Sequence, residues 1–338
     1  MKITIKSIAE ELGISFSTVS KALNDSPLIK DETKHLVLEK AKELNYKPNY
    51  FAKGLRNMHT KTIGIILNDL ENPANMNMIR KISVDMAKYD YTTLICDSQF
   101  DTDLETKNIK TVISRMPDSV IISPINSDSN SISLLNQLFD RTIILDTIND
   151  NINTNYIFIN HERAGYLSAN FLIGKGHKTN LIMTGPKGFS GSNLFVKGIK
   201  QAYSEQGLEL DEKYILYSKP SHNDAYKLLM ESYHKLYEDE STRFTGLMAF
   251  CDTMAFGVYS AAKKLNLKIP DDLSVVGYDD SPVDTFAYPP LTTIHMPKER
   301  VASLCSDLLV SKLVNNDSKL IAVSLEPHLV ERESVKNI

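Results

Sequence analysis

Apolar residues recur along this chain in two rhythms, and the change comes near residue 60. Before it they follow the three-to-four spacing of amphipathic helices. Ile8, Ala9 and Leu12 form one stripe, Val19, Ala22 and Leu23 a second, and Val37, Ala41 and Leu44 a third. Gly13 suits the left-handed C-cap of the first helix. Ser15 suits the N-cap of the second, where its hydroxyl accepts from a free first-turn amide. Two helices joined by so short a turn predict a helix-turn-helix. The next stretch, YKPNYFAKGLRNMHTKT, is basic, carries Pro48 and Gly54, and offers few core residues. It reads as a linker with a short helix after Pro48, because proline is tolerated in a first turn.

From Thr62 onward, short continuous apolar runs alternate with amphipathic stretches. TIGIIL, TTLICDS, SVIISP, TIILD, YIFIN, NLIMTG, YILYS, GLMAF and LSVVGYD are followed by TTIHMP and AVSLEPHLVER. Runs rich in Ile, Val and Leu suit strands covered on both faces. Strand alternating with helix implies parallel sheets with right-handed crossovers. The runs are too many for one modest open sheet, so two smaller doubly wound sheets are expected. Ligands would then enter at the strand carboxyl ends, in the cleft between two lobes. The polar segment Asn126–Ser133 reads as a surface loop, and no short-period repeat is seen.

Composition adds three points. A chain of 338 residues leaves room for two or three domains at roughly 100–200 residues each. The net charge of −4 argues against a nucleic-acid partner, yet its distribution reverses that. Residues 1–60 hold 10 Lys and Arg against 7 Asp and Glu, and the remainder holds 28 against 35, so a basic head precedes an acidic body. Cys96, Cys251 and Cys305 stand far apart without a CxxC pair, which fits a reducing compartment rather than a disulfide framework. The start, MKITIKSIAEELG, lacks the apolar core of a secretory signal. No apolar run approaches the ~20 residues of a membrane span. A cytoplasmic protein that does not enter membranes is expected.

SFSTVSKALN, Ser15 to Asn24, carries the first chemistry. With Val19, Ala22 and Leu23 turned to the core, Phe16, Ser17, Ser20 and Lys21 are expected to face outward. Small hydroxyls at a helix start let a phosphate backbone approach, and the free amides there favour anions. Lys21 could donate to guanine O6 or N7, and Phe16 could pack on a thymine methyl, with the helix in the major groove. The plainer alternative is a solvated helix face with a serine cap.

IKSIAEELGISFSTVSKALN followed by YKPNYFAKGLR closely resembles the lactose-repressor/galactose-repressor (LacI/GalR) family of bacterial transcription regulators. TKTIGIIL, FINHERAGYLSANFLIGKGH, CDTMAFG, IPDDLSVVGYDDSP, PPLTTIHMP and LVERES extend the resemblance along the whole chain. It implies a small all-α helix-turn-helix domain at residues 1–46 and a hinge helix at 47–61. An α/β two-lobed body like periplasmic binding proteins would fill 62–338. The N-lobe would take about 62–160 and 292–322, the C-lobe about 161–291 and 323–338. The resemblance places base reading on Phe16, Ser17 and Lys21, and backbone or helix positioning on Thr18, Ser20 and Asn24. Ile5 and Tyr46 complete the DNA-contacting set in that domain. Asn49, Ala52 and Lys53 match the minor-groove hinge helix, and Leu55 the leucine that wedges between central base pairs, an unstacking repaid by a bent, better-wrapped site. The family binds near-palindromic operators as dimers. This chain ends soon after LVERES, without the heptads that make tetramers in relatives, so a homodimer is expected.

The body is expected to bind a small effector, with Asp146 and Asp279 at the acidic positions that hold ligand hydroxyls and Ser123 and Asn160 at neighbouring strand ends. Two departures stand out. Phe195 occupies the place of a frequent arginine, and Cys251 that of a frequent asparagine. A polyol site needs its polar groups matched, so the expected effector has an apolar or aromatic portion, as in a glycoside or nucleoside. A body that answers to a protein partner is the other reading. Two further classes compete with a DNA-binding regulator. A sugar transport receptor would need export and has no use for the first 60 residues. An enzyme would need a constellation that is missing: there is no GxSxG, HExxH, P-loop or paired zinc-ligand motif, and the eight histidines are scattered. No metal or cofactor is expected.

Overall fold

The computed structural model describes residues 3–46, 59–126, 131–147 and 153–338. The chain forms two compact units, 1–60 and 61–338. The first holds α1 (Ile5–Leu12), α2 (Phe16–Leu23) and α3 (Asp31–Glu43). Thr4 and Ser7 close a capping box at the start of α1. Gly13 ends that helix at φ +62°, its N–H reaching the carbonyls of Ala9 and Glu10. A side chain there would strain the left-handed backbone. Ser15 Oγ accepts from Thr18 N at 3.0 Å and starts α2. Ile8, Ala9, Val19, Ala22, Val37 and Ala41 form the buried core, and Leu12, Leu23 and Leu44 pack around it. The apolar stripes thus meet in one small cluster.

The second unit contains two six-stranded sheets. The first consists of β1 (Thr62–Leu67), β2 (Thr92–Asp97), β3 (Ser119–Ile122), β4 (Thr142–Leu145), β5 (Asn155–Ile159) and the late strand β11 (Ala322–Leu325). The second consists of β6 (Asn180–Thr184), β7 (Ile215–Tyr217), β8 (Gly246–Ala249), β9 (Ser274–Asp279), β10 (Thr292–His295) and β12 (His328–Val330). Their orders are β11-β5-β4-β3-β1-β2 and β12-β10-β9-β8-β6-β7. Counted within each lobe, both follow the doubly wound order 2-1-3-4-5 plus one closing strand. Every pairing is parallel except β10 with β12. β1, β8 and β9 are buried almost throughout, as strands covered by helices on both faces should be.

The helices of this unit are α4 (Pro73–Ala87), α5 (Thr102–Ser114), α6 (His161–Gly174), α7 (Ser190–Glu205), α8 (His222–Ser232), α9 (Asp252–Lys264) and α10 (Lys298–Leu313). α6 and α7 touch backbone to backbone: a Cβ on Gly198 would lie 1.8 Å from Glu162 O, and one on Gly165 1.9 Å from Phe195 O.

Two expected lobe boundaries shift. β10 pairs with β9, Thr292 opposite Val276, so residues 292–295 belong to the C-lobe. Thr293 Oγ1 donates to the buried Asp252 at 2.7 Å and Thr292 Oγ1 accepts from Arg332 N at 2.9 Å, which ties the strand there. The run AVSLEPHLVER splits at Glu326–Pro327. β11 lies on β5, Ala322 opposite Tyr156, so 323–325 belong to the N-lobe, and only β12 joins the second sheet. In the expected loop Asn126–Ser133, residues 127–130 lie outside the described ones, and Ile132 already begins a 3-10 helix, Ile132–Arg141. Among the described residues no helix is long and apolar enough to cross a membrane.

Candidate functional site

Two surfaces are the candidates for recognition. On α2, Phe16 is 49% exposed, and Ser17 and Lys21 are exposed beside it. Serine capping engages the Thr18 amide, leaving the first amides of the helix without intrahelical acceptors. Ser20 departs from expectation: it is only 4% exposed and does not face outward. At about 100° per residue it lies beside the Leu23 edge of the apolar stripe, not opposite it, and its small side chain fits under the neighbouring structure. Asn24 Nδ2 donates to Ser20 O at 2.7 Å and secures the end of the helix. Thr18 is half-buried, its hydroxyl 2.8 Å from that of Ser15. Ile5 and Tyr46 are half-buried against the three-helix core. Asn49, Ala52, Lys53 and Leu55 lie outside the described residues.

The second surface is the cleft between the two sheets, at the carboxyl ends of their strands. It encloses about 50 Å³ and opens into an outer chamber of about 210 Å³ that shares Asn68, Asp69, Phe100 and Pro220 with it. Ser123 follows β3, Asp146 follows β4, Cys251 lies just past β8 and Asp279 ends β9; all four line the inner chamber. Asp146 and Asp279 both hold positive φ, +58° and +144°, a strain typical of binding sites. The other two expected residues do not face it. Asn160 caps α6 through the Arg163 amide at 2.9 Å and donates to Glu326 at 3.1 Å. Phe195 is fully buried and stacks behind Tyr278, centroids 5.6 Å apart and planes 11° from parallel. It shapes the wall without touching the space.

Sequence reasoning missed much of the lining. Asn68 and Asp69 immediately follow TIGIIL, so the strand-end reasoning that picked Ser123 and Asn160 could have found them. Phe250 and Tyr278 adjoin Cys251 and Asp279. Phe100, Phe189, Asn72 and Lys298 come from loops and helix starts, where no local pattern marks them. Phe100 meets Phe189 edge-on at 5.2 Å, and Phe189 meets Phe250 at 6.0 Å.

The polar groups are held tightly. Asn72 Nδ2 donates to Asp279 at 2.8 Å, Lys298 Nζ to Asn75 at 3.0 Å, and Ser123 Oγ to Asp146 at 3.3 Å. Burial, then the charge of Asp252, pushes the Asp279 carboxyl well above the carboxylate range against the opposing pull of Lys298 and Asn72. Burial raises Asp69 to about 6 although the amides of Glu71 and Asn72 donate to it. His161 is lowered to about 4 by burial and is neutral at ordinary pH. Tyr278 stays a phenol for the same reason and lies 2.7 Å from His161 Nδ1. With the phenol donating there, Nε2 carries the ring proton, 3.8 Å from Asp146 and without a hydrogen-bond partner. Burial and the nearby Asp279 also raise Cys251 far above the thiolate range, so it acts as a small apolar wall residue. Among the described residues no group of three or more His, Cys, Asp or Glu could hold a metal ion.

Two family profiles match. "Bacterial regulatory proteins, lacI family" covers residues 4–49, and "Periplasmic binding protein-like domain" covers residues 169–335. The HTH-type transcriptional repressor PurR of Mannheimia succiniciproducens is 30% identical over 336 residues, 99% of each chain. The lac repressor dimer bound to operator and the anti-inducer ONPF shares the fold at TM-score 0.79, with 22% identity over 99% of this chain and 100% of that one. A transcriptional regulator CelR–cellobiose complex does so at 0.69, with 21% identity over 98% and 99%. With a helix-turn-helix head, a two-sheet cleft body and a full-length relative at this identity, the chain belongs to the lacI family of bacterial DNA-binding transcriptional regulators, with an effector-binding body behind the helix-turn-helix.

Proposed function

We propose that this protein is a cytoplasmic repressor that binds a near-palindromic operator as a homodimer and is governed by a small neutral effector in the interlobe cleft. The observation that carries the reading is α2, which presents Phe16, Ser17 and Lys21 from a serine-capped start on a core of its own. Residues 47–61, with Asn49, Ala52, Lys53 and Leu55, then serve as the hinge that couples the body to operator grip. A cleft walled by aromatic rings, with no arginine among the described residues that line it, supports a sugar-containing effector with an apolar face, a glycoside or a nucleoside. The cellobiose of the CelR complex is of that kind. Among the described residues of the cleft, burial keeps the Cys251 thiol protonated, which weighs against a thiolate nucleophile there.

A mobility-shift series on the full-length protein, with genomic fragments it captures and at several salt concentrations, tests this. Specific retention should fall linearly on a log–log salt plot, with a slope that counts neutralised phosphates. Failure to retain any fragment, or a monomer in light scattering at micromolar concentration, would overturn it.

A further inference from the structure

The inner chamber is too small for the effector that the cleft chemistry calls for. At about 50 Å³ it matches only a few waters, since one water needs ~10–15 Å³ on this measure. Even a single ring fills it only if the lobes part slightly, and a unit joined to that ring finds more room in the outer chamber, of about 210 Å³, than in the space of about 90 Å³ that adjoins it past Asp279 and Lys298. The two spaces differ in character. Rings of Phe189, Phe250 and Tyr278 wall the inner one and suit an apolar face. The outer one is polar, with Glu71, Asp97 and Gln99 from the N-lobe and Lys219 and Ser221 from the C-lobe.

Among the described residues, two buried nitrogens of the inner lining, Asn68 Nδ2 and His161 Nε2, meet no hydrogen-bond partner. A buried polar group without a partner costs about 1–3 kcal/mol, so a ligand that supplies acceptors recovers that cost. Asp69 uses one oxygen on the Glu71 and Asn72 amides, and Asp97 uses one on the Gln99 amide. Their second oxygens are left to accept from ligand hydroxyls.

Charge narrows the class. Asp69 and Asp146 face the inner chamber beside the neutral Asp279 carboxyl, against Lys298, which is engaged by Asn75. Glu71 and Asp97 face the outer one against Lys219. No arginine lines either chamber among the described residues, whereas planar bidentate guanidinium is the usual partner of phosphate.

We infer that the effector is an uncharged two-unit compound, an apolar-faced ring in the inner chamber joined to a hydroxyl-bearing unit in the outer one, and that the cleft rejects its phosphorylated forms. This rests on the effector reading above and sharpens it. Titration calorimetry on the full-length protein tests it with matched sets: cellobiose, glucose and cellobiose 6-phosphate; adenosine, adenine and adenosine monophosphate. At least one two-unit compound should bind about tenfold or more tightly than its one-unit part, the worth of one or two net hydrogen bonds. Its phosphorylated counterpart should bind more weakly than either. In the double variant Asp97→Ala/Lys219→Ala the advantage of the second unit should collapse, with operator binding as the check of folding. A one-unit compound as tight as its parent, or a phosphorylated compound as tight or tighter, overturns the inference and leaves the effector reading standing. Heat from none of the compounds, with operator binding intact, removes the effector reading and the inference with it.

Discussion

Asn72 of the N-lobe and Asp279 of the C-lobe, 207 positions apart, are joined by one buried hydrogen bond of 2.8 Å. The same asparagine caps α4, its Oδ1 accepting from Ala74 N at 2.9 Å, so the cap fixes the donor aimed at the other lobe. Asn72→Ala removes both functions. Loss of an N-cap costs ~1 kcal/mol, and a buried carboxyl left without its donor costs about 1–3 kcal/mol. Urea unfolding should therefore show a loss of about 2–4 kcal/mol. Small-angle scattering of the ligand-free variant should show a larger radius of gyration as the lobes separate. An unchanged midpoint and radius would mean that the bridge does not hold the cleft closed.

That bond also marks where sequence reading stops. Strands and helices of both lobes were legible because burial on both faces forces continuous apolar runs, and runs as short and as rich in Ile and Val as TIGIIL or LSVVGYD suit strands better than buried helices. Ser123 was legible because parallel strands end at the cleft, and Asp146, Asp279 and Cys251 because the family resemblance places them there; Asn160, picked by the same strand-end reasoning, caps α6 instead. Asn72, Phe100 and Lys298 were not legible, since only the closed tertiary arrangement brings them to the strand ends. Phe195 misled for the opposite reason. It occupies a ligand-contacting place in the family pattern, but an apolar ring gains more from burial against Tyr278 and Phe250 than from solvent in the cleft.

A second prediction concerns a buried acid pair beneath the cleft. Asp252 accepts from Ser281 N at 2.9 Å and from Thr293 Oγ1 at 2.7 Å. Asp284 beside it is fully buried, and neither of its oxygens accepts a hydrogen bond, although Arg332 Nη1 lies 3.7 Å from one of them. Burial first, then the charge of Asp252, pushes Asp284 up to about 10. A neutral Asp284 that donates to Asp252 accounts for the pair. Its folded value lies above the unfolded one of roughly 4, so its contribution is complete below pH ~4 and declines as pH rises toward 10. Asp284→Asn keeps a donor and needs no proton. Its stability should fall less with pH than that of the parent between pH 5 and 9, by about 1.4 kcal/mol per unit for one retained proton. Parallel urea-unfolding curves at pH 5, 7 and 9 would show the opposite.

A third follows from the contact of α6 with α7. Gly198→Ala drives a methyl to 1.8 Å from Glu162 O, so the helices must separate, and overpacking of this kind costs about 1–3 kcal/mol or more. The melting temperature should drop by several degrees, at roughly 2–4 °C per kcal/mol for a domain of this size. Because α7 carries Phe195, the stack behind Tyr278 should loosen and tyrosine near-ultraviolet dichroism weaken. Gly174→Ala is the control. It lies at the end of α6 with nothing within 4 Å, and it should leave the melting temperature unchanged or slightly raised. Equal melting temperatures for the two variants would show that the helices do not touch as described.

The fourth separates fold from recognition on α2. Ser15 and Lys21 stand on the same helix, but one is its cap and the other its exposed face. Ser15→Ala removes the acceptor for Thr18 N and should cost ~1 kcal/mol of head-domain stability, weakening all operator variants by a common factor. Lys21→Ala removes no internal bond, so the unfolding curve should not move. If its ammonium reads a guanine edge, the loss should fall on one base pair per half-site, about 1–3 kcal/mol there and little elsewhere. The salt slope distinguishes the remaining alternative: a lysine that touches only phosphate lowers the slope by about one and weakens every sequence alike. Fluorescence-anisotropy titrations on a set of single-base operator variants, each at three salt concentrations, give both readouts. A Lys21→Ala profile parallel to that of the parent across all variants, with an unchanged slope, would remove Lys21 from the interface and leave Phe16 and Ser17 to carry the reading.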